Sequence, residues 1–253
     1  LLAAHGAARF SRLDELHIRV GGLPLDPRPP LDYQIVFSVE GLINEYVERA
    51  RVIRDGALLE VESMTELEAL DFPEPFGRME AFQTSGGTST LPETFAGRVR
   101  ELDYKTIRYP GHCERFRLLI DLGLTQSDAV EVEGHAVKPR RLLGELLYRS
   151  LPADGPDAVL IRLEFVGQFA GSADSGSRSR LRYDIIDRFD TRTGLSAMQR
   201  TTAFPASIIA QMMAGGLTTR KGAVPQERCV PPEAFVAELA ARDIRIDESL
   251  VEL

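Results

Sequence analysis

Two long segments of alternating apolar and polar residues constrain the fold most. Residues 158–169 read AVLIRLEFVGQF and residues 180–190 read RLRYDIIDRFD, and the polar segment AGSADSGSRS separates them. Alternation with a period of two is typical of strands that bury one face. A polar connector suits the exposed tip of a hairpin. The sequence therefore predicts that these two segments pair antiparallel in a long hairpin.

The other segments show strand and helix patterns in no regular order. Strand patterns cover residues 13–22, 78–84 and 101–109, and a hairpin over residues 51–61 turns at Asp55-Gly56. Helix patterns begin after Ser38 and at Pro92, and further ones cover residues 113–124, 138–150 and 203–216. Residues 231–246 are predicted to form a helix that is followed by a short strand. Strict strand–helix alternation is absent. We therefore predict an α+β fold, in which a mixed, largely antiparallel sheet is covered by helices on one face.

Composition narrows the class of protein. Of 253 residues, 43% are hydrophobic and 27% are charged, which is typical of a globular chain. The net charge of -8 disfavours nucleic-acid binding. The sequence contains no run of 18 apolar residues, so no membrane span is predicted. Two cysteines cannot form a disulfide framework, so we expect a reducing compartment, the cytoplasm. Because the chain begins with Leu1 rather than Met, we expect a piece of a longer protein.

Several common motifs are missing from the sequence. There is no G-x-G-x-x-G after a strand, no phosphate-binding P-loop and no G-x-S-x-G. The chain therefore carries no dinucleotide fingerprint of its own. Four isolated histidines and two isolated cysteines do not predict a metal site. Cys113, next to a helix start, is expected to be buried and inert.

Two segments remain as candidates for chemistry. The segment Glu80–Gly87, EAFQTSGG, runs from a strand into a glycine turn. Backbone N–H groups at such a turn can bind an anion, although a plain turn that needs positive φ explains the glycines equally well.

The second candidate segment is Tyr104–His112, YKTIRYPGH. Strand alternation places Tyr104, Thr106 and Arg108 on one face and Lys105 on the other. Arg108 could bind a carboxylate in a bidentate manner, or pair with a surface acid such as Glu101 or Asp121. The Pro-Gly break places His112 at a helix N-terminus, where its pKa falls. A neutral His112 could accept a proton, or merely cap the helix.

Four segments together resemble the saccharopine dehydrogenase family, and in particular its lysine 6-dehydrogenase-like branch. They are GGLPLDPRPPLDYQIVFSVEGLINEY, EAFQTSGGTSTLPETF, YKTIRYPGH and RTTAFPASIIAQMMAGG, within a resemblance that runs from about Leu13 to about Ile246. The resemblance implies that residues 1–229 form the substrate-binding, catalytic and dimerisation domain. Residues 230–253 would form a tail that packs on a nucleotide-binding domain outside this chain.

The resemblance also implies an activity. The full protein would oxidise the C–N bond of an amino acid such as lysine or saccharopine, and pass a hydride to NAD or NADP. Water would open the resulting imine. The cofactor would be bound mainly by the absent domain, so the chain alone is predicted to be inactive. A homodimer is expected, with no nucleic-acid or membrane partner.

Carried onto this sequence, the resemblance implies the site residues. His112, or alternatively Lys105, would handle the amine proton, and Arg108 would hold a substrate carboxylate. The other predicted substrate-binding residues are Glu80, Thr84, Gly86, Gly87, Tyr104, Thr201 and Thr202, the two threonines lying just before a helix start at Phe204-Pro205.

Two other functions stay open. One is a non-catalytic oligomerisation or ligand-binding module that keeps the fold. The other is an unrelated enzyme in which Lys105 forms a Schiff base, which would need an apolar pocket around the amine. The apolar stripe Phe235, Val236, Leu239, Ile244 and Ile246 of the tail is expected to be exposed, or covered by a partner chain.

Overall fold

A computed structural model of the chain describes residues 1–171 and 177–253. The tip of the predicted long hairpin falls partly on residues 172–176, which lie outside the described residues. The strands are β1 (Phe10–Pro24), β2 (Ala50–Arg54), β3 (Ala57–Val61), β4 (Glu68–Phe72), β5 (Gly77–Gln83), β6 (Glu101–Arg108), β7 (Val130–Val132), β8 (His135–Val137), β9 (Asp157–Phe169), β10 (Ser179–Arg188) and β11 (Asp247–Glu252). The α-helices are α1 (Leu2–Ala7), α2 (Val39–Val47), α3 (Leu91–Phe95), α4 (His112–Asp121), α5 (Pro139–Ser150), α6 (Ala197–Ala214) and α7 (Pro232–Ala240).

One sheet organises the described residues. Its order is β11-β10-β9-β1-β6-β2-β3, and β5 pairs with β6 beyond the point where β2 leaves it, with β4 outside β5. Among the strand pairs that the structure describes, only β1 with β6 is parallel. The predicted mixed, largely antiparallel sheet is confirmed. The predicted hairpin is confirmed as well, because β9 and β10 pair antiparallel from Gly167 opposite Ser179 to Ala158 opposite Arg188.

The helices lie on one face of this sheet. In the parallel pair, Ile18 lies opposite Tyr104 and Val20 opposite Thr106, so these side chains share the face on which Arg108 also lies. One group of helices, α1, α6 and α7, packs on this face over β9 and β10. A second group, α2, α4 and α5, packs over β5 around Phe82. A gap between the two groups lies above β1 and β6.

The opposite face carries a network of charged side chains. Arg19 donates to Asp103 at 2.7 Å and also bonds Glu68, and Lys105 donates to Glu68 at 2.9 Å. Although burial raises the pKa of Asp103, hydrogen bonds from His17 and Arg19 hold it well below its usual range. These charged side chains therefore form ion pairs with one another on this face of the sheet.

Helix α6 begins earlier than the sequence predicts. The helix was expected to start at Phe204-Pro205, but it begins at Ala197, so Thr201 and Thr202 lie inside it. The reason is a capping box, in which Ser196 and Gln199 bind each other's backbone N–H groups. Pro205 is tolerated within the helix.

The apolar stripe of the tail was expected to be exposed or covered by a partner chain, and for three of its residues this is wrong. The packing of residues 230–253 on a nucleotide-binding domain stays a prediction. Instead of being left exposed or covered by a partner chain, Phe235, Leu239 and Ile244 are each at most 4% exposed and pack with Ile185 and Ile208 of the same chain. Strand β11 pairs with β10 at the sheet edge and holds the tail against α6. The apolar stripe is therefore part of this chain's own core.

Candidate functional site

A cavity of about 830 Å³ opens in the gap between the two helix groups. Val20 of β1 and Tyr104, Thr106 and Arg108 of β6 line it from the sheet. The remaining walls are contributed by residues 34–37, Glu45 of α2, residues 153–155, and the first turns of α6. Pockets of this size commonly hold small-molecule ligands.

Arg108 is the most unusual group of this cavity. Its side chain is 3% exposed, donates from Nε to the Tyr46 hydroxyl and from Nη1 to the Ile107 carbonyl, both at 2.9 Å, and lies 4.8 Å from the ring centre of Tyr33. Within the described part of the chain, no carboxylate lies within 4.0 Å of its guanidinium. The alternative pairing with Glu101 or Asp121 is therefore not formed.

Other buried arginines of the described chain show the contrast. Arg19, Arg162 and Arg200 each donate to an aspartate at 2.7 to 2.9 Å. A buried charge without a counter-ion is costly, so one that is kept beside a cavity is suited to an anion from outside. Stacking on Tyr33 offsets part of that cost.

Tyr46 connects Arg108 to His112. The Nδ1 atom of His112 lies 2.9 Å from the Leu31 carbonyl oxygen and can only donate to it, so Nε2 is the acceptor of this neutral ring. Nε2 lies 3.0 Å from the Tyr46 hydroxyl, which therefore donates to His112 and accepts from Arg108. The three side chains form one chain of hydrogen bonds that ends at the cavity.

His112 does not reach the cavity. It is fully buried, with its ring stacked between Phe82 and Phe116. Burial, and to a smaller extent the charge of Arg108, lowers the pKa of His112 to about 3. The expected direction is correct, but burial, rather than the helix N-terminus, is the main cause. Tyr46 and Arg108 lie between His112 and the cavity, and its role in handling the amine proton stays a prediction.

The Glu80–Gly87 segment supports the site from behind. The carboxylate of Glu80 accepts from the backbone N–H groups of Gly111 and Cys113 at 2.8 and 2.7 Å, so it caps helix α4 and does not line the cavity. Burial raises the pKa of the Cys113 thiol to about 11, in line with an inert cysteine. Thr84 shares a 2.7 Å hydrogen bond with Thr106, which does line it.

Glycine is required at positions 86 and 87 for two different reasons. Gly86 has a φ of 81°, a conformation that glycine adopts without strain. At Gly87, a Cβ atom would lie 2.2 Å from the ring of Tyr104. Gly87 therefore lets the backbone approach a side chain that lines the cavity, and neither glycine lines the cavity itself.

Lys105 and Thr201 lie away from the cavity. Lys105 is on the charged face, where its Nζ donates to the Glu66 carbonyl at 2.7 Å and to Glu68. Because this environment is polar and ion-paired, the Schiff-base hypothesis lacks the apolar pocket that it needs. The Thr201 hydroxyl bonds the Ala197 carbonyl and faces a separate, smaller cavity, whereas Thr202 does line the main cavity. The structure thus brings together only Tyr104, Arg108 and Thr202 of the predicted residues.

Glu45 is a cavity residue that the sequence reasoning missed. Its half-buried side chain lines the cavity and forms no hydrogen bond or ion pair with the described residues, although its carbonyl accepts from Ser85 at 2.9 Å. Burial raises the pKa of Glu45, and the charge of Arg108 opposes this. Its position on α2 carries no motif, so nothing in the sequence relates it to β6.

The three helix N-termini nearest the cavity are not free to bind the diphosphate of a dinucleotide. Helix N-termini can bind a diphosphate, but those of α2, α4 and α6 are already capped by Ser38, Glu80 and Asp157 with Ser196. In the part of the chain that the structure describes, no group of three His, Cys, Asp or Glu residues is arranged to hold a metal ion. No helix of that part is long and apolar enough to cross a membrane.

Comparison with known proteins identifies a family and a similar fold. The family described as the saccharopine dehydrogenase C-terminal domain matches residues 2–244. Among solved structures, the fold resembles apo histidine-tagged saccharopine dehydrogenase (L-Glu forming) from Saccharomyces cerevisiae, with a TM-score of 0.76 and 18% sequence identity. That match covers 98% of this chain and 69% of the yeast chain.

Proposed function

This chain belongs to the family of saccharopine dehydrogenase C-terminal domains, and from that premise we propose that it is the substrate-binding half of an oxidoreductase that acts on the C–N bond of an amino acid. The substrate is lysine, saccharopine or a similar amino acid. In this proposal NAD or NADP is bound mainly by a nucleotide-binding domain outside this chain, because the sequence has no dinucleotide fingerprint and the helix N-termini at the cavity are already capped. The lysine 6-dehydrogenase branch stays a prediction.

The observation that carries this proposal is the buried, unpaired guanidinium of Arg108 beside the cavity. A carboxylate is the anion that every α-amino acid offers, and the planar guanidinium suits it. Tyr104, Thr106 and Thr202 add hydroxyl groups to the same cavity. In this role Arg108 binds and orients the substrate, while His112 and Tyr46 hold Arg108 in place.

The experiment that tests this function is a titration of the chain with saccharopine and with L-lysine, followed by two-dimensional NMR. We expect Arg108→Gln to weaken binding by roughly 30- to 1,000-fold, as for the loss of one partner of a buried charge pair. Arg115→Gln is the control, because Arg115 is a half-exposed arginine on α4 that pairs with Asp32 outside the cavity. Equal affinities of the two variants, with both folded, would exclude Arg108 as the carboxylate site.

A further assay separates the enzyme from a non-catalytic module. The full-length protein is incubated with each amino acid and NAD or NADP, and reduced cofactor is followed by absorbance. Binding without any cofactor reduction would favour the module.

We also propose that the protein is a cytoplasmic homodimer. The edge strands β3 and β11 each leave one side unpaired within the described sheet, and such edges need cover. Light scattering that finds a monomer at roughly tens of micromolar, the range of a weak dimer, would contradict this.

A further inference from the structure

We propose that Glu45 binds the amino group of the substrate, so that the cavity recognises an α-amino acid by both of its charged groups. This inference rests on the proposed function, in which Arg108 holds the substrate carboxylate. It adds a second recognition residue and makes the amine a requirement for tight binding.

The position of Glu45 is tied to that of Arg108. Glu45 directly precedes Tyr46 on α2, and the Tyr46 hydroxyl accepts from Arg108 Nε. The backbone of Glu45 is fixed by the hydrogen bond from Ser85 N–H to its carbonyl. A helix turn that is anchored on both sides therefore presents a carboxylate to the same cavity that Arg108 lines.

The two charges face one cavity without closing on each other. Each influences the protonation of the other, yet they form no ion pair within 4.0 Å, and the Glu45 carboxylate has no other hydrogen-bond partner among the described residues. Opposite charges that approach but do not touch leave room for a ligand that carries both signs. An α-amino acid carries a carboxylate and an amine on one carbon, so a single molecule of it can offer one charge to Arg108 and the other to Glu45.

The other titratable groups near the cavity suit the amine less well than Glu45 does. Asp157 accepts from the backbone N–H groups of Ala197 and Met198 at 2.7 and 2.9 Å, so it is already used to cap α6. Asp154 is exposed at the cavity rim. His112 is fully buried, and Lys105 is on the opposite face of the sheet. Glu45 is thus a half-buried carboxylate of this cavity that forms no hydrogen bond or ion pair with the described residues.

The test compares amino acids with analogues that lack the α-amine. The probes are L-lysine with 6-aminohexanoate and L-glutamate with glutarate. They are titrated into the wild-type chain and into Glu45→Gln, Glu48→Gln, Asp154→Asn and Arg108→Gln, with NMR as the readout. The control residue Glu48 lies at the end of α2, is exposed and does not line the cavity, so Glu48→Gln removes the same charge elsewhere.

We expect the wild-type chain to bind at least one amino acid about tenfold more tightly than its analogue, because a charge-assisted hydrogen bond to the amine is lost in the analogue. Glu45→Gln should abolish this preference and leave the affinity for the analogue within about twofold, since an analogue without the amine makes no contact with the carboxylate. Glu48→Gln should retain the preference. If Glu45→Gln retains it too, or if Asp154→Asn abolishes it instead, the role of Glu45 is refuted.

Arg108→Gln separates this failure from failure of the proposed function. This substitution should weaken the binding of the amino acid and of its analogue to the same extent, because both keep the carboxylate. If it weakens neither, or if the wild-type chain binds no probe, the proposed function itself is wrong. If Arg108→Gln weakens the binding of both probes while Glu45→Gln leaves the preference for the amino acid unchanged, only the inference about the amine is refuted.

Discussion

Replacing Tyr46 by phenylalanine tests whether the Tyr46 hydroxyl holds Arg108 in place. Tyr46 is buried, and its hydroxyl makes two hydrogen bonds, one to the charged Arg108 and one to neutral His112. Hydrogen bonds to charged groups contribute about 1.5–3 kcal/mol and neutral ones about 1 kcal/mol. We therefore expect Tyr46→Phe to lower the free energy of unfolding by about 2–4 kcal/mol.

Tyr33→Phe is the matched control. Tyr33 is equally buried and also packs its ring on Arg108, but its hydroxyl interacts with the backbone of Val36 rather than with the guanidinium. We expect a loss of only about 1 kcal/mol for this neutral contact. Both values come from urea denaturation followed by circular dichroism. Equal losses for the two variants would refute the view that Tyr46 stabilises a buried charge.

Three further outcomes are expected. Because the folded pKa of His112 is lowered to about 3 from 6.5, its contribution to stability is full above pH 6.5 and is lost as the pH falls. Wild-type protein should therefore lose about 2 kcal/mol more than His112→Gln between about pH 7 and pH 5, and parallel curves would contradict this. Leu239→Ala should lower the free energy of unfolding by about 2–5 kcal/mol, and Val236→Ala, which is only partly buried, by less. A Leu239→Ala loss below that of Val236→Ala would mean that the tail is not packed as described. Calorimetric titration of the chain with NAD and NADP should show no tight binding, and low-micromolar affinity for either would place the cofactor site in this chain.

Local patterns predicted the sheet elements well. The β9–β10 hairpin followed from alternation, and the hairpin of β2 and β3 followed from Asp55-Gly56, where both residues have positive φ. The start of α6 was misplaced because a proline looked like a helix start, whereas the Ser196 cap lies nine residues earlier in the chain. The packing of the tail could not be predicted, since an apolar stripe does not say which surface covers it.

The candidate site was only partly predictable for a related reason. Alternation along β6 correctly put Tyr104 and Arg108 on one face and Lys105 on the other. It could not say that the face of Lys105 holds a charged network, nor that His112 lies behind Tyr46. Glu45 was missed because its role depends on how α2 packs over β6, and that contact joins residues about 60 positions apart, beyond any local pattern.

Strand β6 shows why one motif contains residues with such different roles. On one face, Arg108 has no carboxylate partner among the described residues and donates to Tyr46, and we propose that its charge binds a ligand in the cavity. On the other face, Lys105 and Asp103 are tied to charges of β4 and β1, which fixes the position of the strand. Arg108 is positioned by its own hydrogen bonds, to the Tyr46 hydroxyl and the Ile107 carbonyl. Lys105 and Arg108 of YKTIRYPGH thus divide by face, with the proposed ligand binding on one side and ion pairs that hold the strand on the other.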